Sequence, residues 1–335
     1  MLPSWQISHG AKQPQIFKLK NIKIDKTSNL LYSLNLKEIN MFRDSTITTK
    51  DILKSVRQIE IKTSHIVNSY FAGQYHSAFK GHGIEFDEVR KYNIGDDVRA
   101  MDWKVSARYN EPFIKRFREE RELNVVILAD FSASTDFGLT KTKHNLIVEL
   151  SALLSFSALK NNDKVGLLIF TDTVEKFIPL NKGKNHVLRI IRELIEFEPK
   201  SAETNIANAL EYFNKIQKRD SITFLITDAC SDLPKKQIDI TRKRNDFVVC
   251  LVNDRLEYEM PHLLGTLVLS DLENDEYVYF DMGNKNVREA YINEQSKMLE
   301  DKLQFLKRNS IENIVLDTSS NYINEVMKFF IKRRR

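Results

Sequence analysis

The chain has 335 residues, of which 42% are hydrophobic and 29% charged, with a formal net charge of +5. This length and composition allow a substantial core, which excludes a disordered chain and a disulfide-stapled miniprotein. Its two cysteines, Cys230 and Cys250, lie inside or just after apolar runs, as buried thiols do in a reducing compartment. The sequence has no run of about 20 apolar residues and no secretory signal, so we expect a cytoplasmic protein with at most peripheral membrane contact.

Part of the positive charge lies at the C-terminus, in Lys332, Arg333, Arg334 and Arg335. Such a tail can touch acidic lipid or nucleic acid, but we favour a solubilising helix end. Zinc-finger spacing and RNA-binding aromatic signatures are missing from the sequence, so we predict no nucleic-acid partner.

The N-terminal part of the sequence divides into an extension and a small subdomain. Residues 1–50 are rich in Lys and Asn and carry no motif, so their role is uncertain, and Met41 is a possible start. From Ile52 to about Phe71 apolar residues recur at helical spacing, which predicts an amphipathic helix. This helix and the charged segment after it form the predicted subdomain, residues 51–121.

The segment from Gly81 to Arg108 interleaves acidic and basic residues and has few apolar ones. It is either a docking surface for a partner or an internal ion-pair network that braces the sheet. The interleaving favours the ion-pair network. We expect Trp103, which follows Asp102, to anchor this segment to the core.

After Leu123 apolar strands alternate with amphipathic helices, which predicts a parallel sheet in a domain spanning residues 122–335. The run Val174–Leu180 follows the preceding strand after a short turn, which predicts an antiparallel edge strand. Residues 262–281 are typical of a hairpin insertion, and a long helix is expected from about Val287 to Arg308. The predicted parallel strands are Val125–Ala129, Val165–Phe170, Ile222–Ile226, Phe247–Val252 and Ile314–Leu316. We therefore predict an α/β fold with a mostly parallel sheet and helices on both faces.

Oxygen-bearing side chains follow the strands at one edge of the predicted sheet, where α/β proteins bind ligands. A carboxylate and two hydroxyls alternate in the turn after the first strand and therefore point the same way. Two carboxylates and three hydroxyls suit a hard cation, so we predict bound Mg²⁺, with Mn²⁺ or Ca²⁺ as alternatives. The predicted ligands are Asp130, Ser132, Ser134, Thr204 and Asp228.

Each of these residues also has a purely structural explanation, because Ser and Asp commonly cap helices. The set as a whole favours the metal site. Thr204 is the least certain ligand, and the other threonines near strand ends are Thr171, Thr173 and Thr227. Because the hydroxyl ligands are neutral, the ion would stay electron-poor, and a carboxylate from a protein partner can complete its coordination.

The D-x-S-x-S motif with a later Thr and Asp resembles the metal-ion-dependent adhesion site (MIDAS) of von Willebrand factor A domains. Upstream residues are similar to the signature of the domain-of-unknown-function family 58 (DUF58), and the resemblance runs from about residue 73 to the C-terminus. These residues are Gly83-Ile84-Glu85-Phe86, Arg90, Tyr92, Gly95-Asp96-Asp97, Arg99, Asp102-Trp103 and Ala107-Arg108. The resemblance implies a von Willebrand factor A-like (Rossmann-like) domain with the five ligands above, in a bacterial adaptor that works beside a MoxR-type AAA+ ATPase. Family members commonly have a small residue where Phe131 stands and often carry two N-terminal membrane helices, and this chain departs from both patterns.

Enzymatic motifs are missing from the sequence. It contains no G-x-S-x-G nucleophile elbow, no Walker A loop and no G-x-G-x-x-G turn. A Mg²⁺-dependent phosphohydrolase is the main enzymatic alternative, but such sites usually need more acids than Asp130 and Asp228. We predict metal-dependent protein–protein binding without catalysis, and a structural scaffold without metal is the remaining alternative.

Overall fold

The computed structural model describes residues 49–67, 75, 78, 85–118, 122–136, 141–228, 232–258, 266–271, 276–281 and 284–334. Residues 1–48 of the predicted N-terminal extension, the start of the charged segment at Gly81 and the thiol of Cys230 lie outside this part of the chain. The other cysteine, Cys250, is a buried free thiol, as predicted.

Helices and strands alternate along most of the described chain. The helices are α1 (Thr49–Ile66), α2 (Trp103–Tyr109), α3 (Lys143–Lys160), α4 (Lys184–Glu196), α5 (Ile206–Ile216), α6 (Lys235–Arg242), α7 (Lys285–Arg308) and α8 (Tyr322–Arg334). The strands are β1 (Glu85–Lys91), β2 (Phe113–Arg118), β3 (Asn124–Asp130), β4 (Lys164–Phe170), β5 (Val174–Asn181), β6 (Ile222–Asp228), β7 (Asp246–Asn253), β8 (Thr266–Asp271), β9 (Glu276–Asp281) and β10 (Glu312–Asp317). Each predicted apolar run lies within a strand of the structure.

The central sheet has the strand order β10-β7-β6-β3-β4-β5. Its neighbours are parallel, except that β5 pairs antiparallel with β4 at one edge, as the short preceding turn predicts. The inner strands read as continuous apolar runs because both of their faces are covered, and every residue of β6 is buried. The predicted α/β class with a mostly parallel sheet is confirmed.

Two hydrophobic cores lie on opposite faces of this sheet. One core joins the sheet to α1, α3, α4 and α8, through residues such as Val56, Ile191 and Phe330. The other joins it to α5, α6 and α7, through residues such as Leu210, Ile238 and Leu306. The helices therefore cover both faces, as expected.

Helix α3 is buried on more sides than its sequence pattern predicts. The predicted apolar face, which includes Leu150, packs in the first core, but Ser151 and Ser155 are also fully buried. Helix α1 also packs against α3, where Lys62 of α1 contacts Glu149 at 3.1 Å. The sequence pattern of α3 alone does not show how many neighbouring elements surround it.

Strands β1 and β2 form a separate antiparallel pair, and β1 with the turns and helix α2 that follow it makes up the described part of the charged segment. Arg90 makes a two-pronged contact with Asp96, at 2.9 and 2.7 Å, so ion pairs do hold the segment internally. The predicted anchoring role of Trp103 is wrong, because this side chain is 70% exposed. Asp102 accepts bonds from the first-turn amides of α2 and so caps this helix, which begins at Trp103, and the buried apolar residue nearby is Ile114.

The C-terminal part contains the antiparallel pair β8–β9, which lies within the range where the sequence predicts a hairpin. Arg333 near the end of α8 forms ion pairs with Asp246 and Glu312, so one cation of the basic tail belongs to the fold. Among the residues that the structure describes, no helix combines the length and the hydropathy required of a membrane span.

Candidate metal site

The candidate site lies at the carboxyl edge of the central sheet, where β3 and β6 end side by side. The two strands are parallel neighbours, with Ala129 opposite Ile226. This register brings the last residues of the strands, Asp130 and Asp228, to the same edge. Both carboxylates are fully buried. Two acids placed together away from water form an environment that attracts a cation.

The turn after β3 orients Asp130 and gathers the two serines. The Thr227 hydroxyl donates to one carboxylate oxygen of Asp130 at 2.6 Å, and the amide of Ser132 donates to the other at 3.0 Å. The hydroxyl oxygens of Ser132 and Ser134 lie 3.1 Å apart, and both residues are buried. A short 3-10 turn, Ala133–Asp136, fixes the backbone between them. The alternation in D-x-S-x-S therefore places three oxygen-bearing side chains in one turn.

Thr204 is half-buried in a neighbouring loop that the backbone holds against this edge. The amide of Ala133 donates to the carbonyl of Ala202 at 3.1 Å, and the amide of Asn205 donates to the carbonyl of Thr171 at 2.9 Å. These two bonds flank Thr204 and keep it beside the turn of the two serines. The structure thus assembles Asp130 and the serines directly and brings Thr204 to the adjoining loop.

The alternative threonines have other partners. Thr171 donates its hydroxyl to Glu175 at 2.6 Å and contacts Asp172 at 3.1 Å. Thr227 donates to Asp130 and so orients a predicted ligand. From the sequence, Thr227 was only an alternative to Thr204 as a ligand. Its hydrogen bond to Asp130 could not be predicted, because the two residues are 97 positions apart and lie on different strands.

Burial and mutual repulsion set the electrostatics of the acidic pair. Burial, together with the nearby charge of Asp228, raises the pKa of Asp130 from its ordinary value to about 6. The hydrogen bonds from Thr227 and Ser132 oppose this shift by stabilising the carboxylate. A cation between the two acids would relieve their repulsion.

A lysine outside the predicted ligand set contacts one acid of the pair, Asp228. Lys143, the first residue of α3, is 1% exposed, and its Nζ lies 3.5 Å from Oδ2 of Asp228. The same ammonium forms an ion pair with Glu257, which lies in a 3-10 turn after β7. Burial raises the pKa of Glu257, and the charge of Lys143 opposes that shift. A lysine at the start of a helix normally indicates a solvated position, so this contact could not be predicted from the sequence.

The donor chemistry of the site fits a hard cation. Asp130, Ser132, Ser134 and Asp228 offer only oxygen atoms, and all four residues are buried. Within the described residues, no group of three or more His, Cys, Asp or Glu side chains is arranged to hold a metal. A metal at this edge would therefore depend on two carboxylates supplemented by hydroxyls, which is the set that the sequence predicts.

Phe131 belongs to the core beneath the turn. It is 1% exposed, and its ring packs edge-on against His144 and Phe197, with centroid distances of 4.6 and 5.3 Å. A bulky residue inside D-x-S-x-S is accommodated because its side chain points away from the oxygen set. The departure from the small residue of the family pattern therefore leaves the candidate ligands intact.

The fold and this edge define a class of protein: an α/β domain with a buried, oxygen-rich site where its central parallel strands end. The family model described as "Protein of unknown function DUF58" matches residues 88–300, which is more than half of the chain. The chain belongs to this family, and the family predicted from the signature residues is confirmed.

The chain is also similar to individual proteins. An uncharacterized protein of Mycobacterium tuberculosis (strain H37Rv) is 24% identical over 285 residues, which cover 84% of this chain and 89% of that protein. The uncharacterized protein YeaD of Bacillus subtilis is 29% identical over 139 residues, 42% of this chain and 33% of YeaD.

Two solved structures show distant similarity. The conserved hypothetical protein BatB of Bacteroides thetaiotaomicron matches with a TM-score of 0.39 and 14% identity, over 63% of this chain and 98% of BatB. Proximal thread matrix protein 1 of the mussel byssus, solved with a zinc-occupied MIDAS motif, matches with a TM-score of 0.33 and 17% identity, over 39% of this chain and 38% of that protein.

Proposed function

We propose that this chain is a protein-binding adaptor that holds one divalent cation at the carboxyl edge of its sheet, and that this cation is Mg²⁺. The observation that carries the proposal is the burial of two carboxylates and two hydroxyls together at that edge. Mn²⁺ and Ca²⁺ are alternative ions for the same oxygen set. The ligands are Asp130, Ser132, Ser134, Thr204 and Asp228.

The chemistry supplied by the bound ion is a Lewis-acidic position that accepts one further oxygen ligand. Asp130 and Asp228 would formally balance the 2+ charge of the ion, and because the remaining ligands are neutral hydroxyls, the ion would stay Lewis-acidic in this site. Ser132 and Ser134 contribute neutral oxygens, and Thr227 fixes the orientation of Asp130 through its 2.6 Å hydrogen bond. Such a site favours capture of an acidic side chain from another protein over hydrolysis.

The partner class follows from the resemblance to DUF58 proteins, which implies a MoxR-type AAA+ ATPase. We propose that a Glu or Asp side chain of this partner completes the coordination of the ion. Binding would then require both the metal and the acidic residue of the partner.

Calorimetric titration of the full chain with Mg²⁺ or Mn²⁺ tests the metal site. Wild type should bind one ion, and Asp130→Ala should abolish the heat. Asp172→Ala is the matched control, because Asp172 follows β4 at the same edge and is not a predicted ligand. Equal heats from wild type and Asp130→Ala would show that the metal site is wrongly assigned.

Pull-down with a MoxR-type ATPase tests whether the metal site binds the partner protein. Wild type should recover the partner, and both the Ser132→Ala/Ser134→Ala double variant and EDTA-treated protein should lose it, although the double variant should melt at the same temperature as metal-free wild type. Equal recovery in all three samples would favour the metal-free scaffold. Turnover of a phosphoester by wild type that is lost in Asp228→Ala would instead favour the phosphohydrolase.

A further inference from the structure

We infer that Lys143 is a built-in competitor of the metal ion: its ammonium is paired with Glu257 and also lies beside Asp228, so a divalent cation binds Asp228 only against the charge of this ammonium. This inference concerns the regulation of the metal site and rests on the function proposed above. It gives Lys143 a role in setting the affinity of the site.

The position of Lys143 is unfavourable for a lysine in two respects. It is the first residue of the 18-residue helix α3, where the helix dipole disfavours a positive charge. It is also 1% exposed, and dehydration of an ammonium is costly unless anions surround it. The helix therefore gives no reason for a lysine here, whereas the carboxylates of Asp228 and Glu257 do.

The contact with Asp228 opposes binding of a second cation. Nζ of Lys143 lies 3.5 Å from Oδ2 of Asp228, and both side chains are almost fully buried. Asp228 is one of only two acids in the predicted ligand set, so its negative charge is partly neutralised before any metal arrives. Repulsion between an ammonium and a divalent ion is strong in a buried site, where water screens little.

Glu257, which is outside the predicted ligand set, is the nearer of the two anions to the ammonium. Its carboxylate forms an ion pair with Lys143 and also accepts the amide of Asp254 at 2.9 Å. The second bond fixes the carboxylate within its own turn. When a metal takes Asp228, Lys143 keeps Glu257 as its partner and need not become an unpaired buried charge.

The test is a Mn²⁺ titration of the full chain by calorimetry, in wild type and three lysine variants. Lys143→Met removes the charge and should bind Mn²⁺ at least about tenfold more tightly than wild type. Lys143→Arg keeps the charge and should stay within about threefold of wild type. Lys141→Met is the matched control, since Lys141 pairs with Glu149 at 2.9 Å and should leave the affinity unchanged.

Thermal melting gives a second readout that does not depend on the calorimeter. Without metal, Lys143→Met should melt below wild type, because Asp228 and Glu257 lose their cation. Saturating Mn²⁺ should raise its melting temperature by more than it raises that of wild type, because the ion replaces the missing charge. If Lys143→Met folds poorly without metal, recovery of a cooperative melt in Mn²⁺ supports the inference, and no recovery overturns it.

The outcomes separate this inference from the proposed function. If wild type binds Mn²⁺ through Asp130 but Lys143→Met binds equally or more weakly, the competitor role is overturned and the metal site stands. If Lys143→Met binds Mn²⁺ and wild type does not, the competitor role is supported and the metal dependence of the native chain is overturned. If neither protein binds, both are overturned.

Discussion

The carboxyl edge of the central sheet and the β1–β2 segment use the same ion-pair chemistry in opposite environments. At the sheet edge the side chains of Lys143 and Asp228 are 1% and 0% exposed. In the β1–β2 segment those of Arg116 and Glu88 are 61% and 54% exposed. A buried pair depends on the presence of both partners, whereas water screens and replaces an exposed one. Charge density in the sequence therefore does not locate the charges that control stability.

The largest expected effect is at the buried pair. Lys143→Met should lower the free energy of unfolding by about 3 kcal/mol in metal-free buffer, because it leaves two carboxylates without their cation. Urea denaturation at pH 7 with EDTA measures this change. The double variant Lys143→Met/Asp228→Asn should lose less than the sum of the single variants, and strict additivity would show that the two residues do not act as a pair.

Another buried carboxylate, Asp163, lies at the opposite edge of the sheet. It shows how burial alone affects the stability of the protein, because no buried lysine pairs with it in the described part of the chain. Its Oδ1 accepts the amide of Leu123 at 2.8 Å, and burial raises its pKa from 3.8 to about 6. Because the folded protein holds this proton more tightly than the unfolded chain, the contribution of Asp163 to stability falls as pH rises from about 4 to about 6.

Asp163→Asn keeps an acceptor for the Leu123 amide and removes the titration. The variant should be about 2 kcal/mol more stable than wild type at pH 7.5 and show no such gain near pH 4. Urea denaturation at both pH values measures the difference. A variant that is less stable than wild type at both values would contradict the prediction.

The partly exposed contact between Arg90 and Asp96 should show a smaller, local effect. Arg90→Lys keeps the charge but loses the two-pronged geometry, which a single ammonium does not reproduce. Since Asp96 also accepts the amide of Asn93 at 2.8 Å, this amide should exchange faster with solvent in the variant. Hydrogen exchange followed by NMR measures it, and unchanged protection of Asn93 would mean that Arg90 does not order the turn.

The smallest effects are expected on the exposed surface of the same segment. Arg116→Ala removes a contact of 3.3 Å with Glu88, and Trp103→Ala removes a ring that is 70% exposed. Neither variant should measurably change the midpoint of urea denaturation. A clear loss of stability in Trp103→Ala would restore the anchoring role that its exposure contradicts.

The sequence predicted the central sheet well because strands covered on both faces are continuous apolar runs, of which β6 is the clearest. It also placed Asp130 and Asp228 at one edge, since carboxyl ends of parallel strands meet there. The sequence could not predict contacts between residues that are far apart along the chain. The burial of Ser151 and Ser155 in α3 depends on the surrounding elements, and the partners of Lys143 lie in distant parts of the chain. The size of Trp103 suggested burial, but this residue begins a short helix outside the central sheet.

The placement of β3 between β4 and β6 also has a consequence for synthesis on the ribosome. The contact between Leu123 and Asp163 spans 40 residues, whereas that between Asp130 and Thr227 spans 97. At about 5–20 residues per second, the interval before β6 emerges lasts roughly 5–20 s. During this interval the apolar side of β3 that later receives β6 is an open strand edge, prone to pair with other chains. Nascent chains that end before Ile222 should therefore pair with other chains or recruit chaperones through β3, and once β6 has paired with β3 the open edge should move to β6 until β7 emerges.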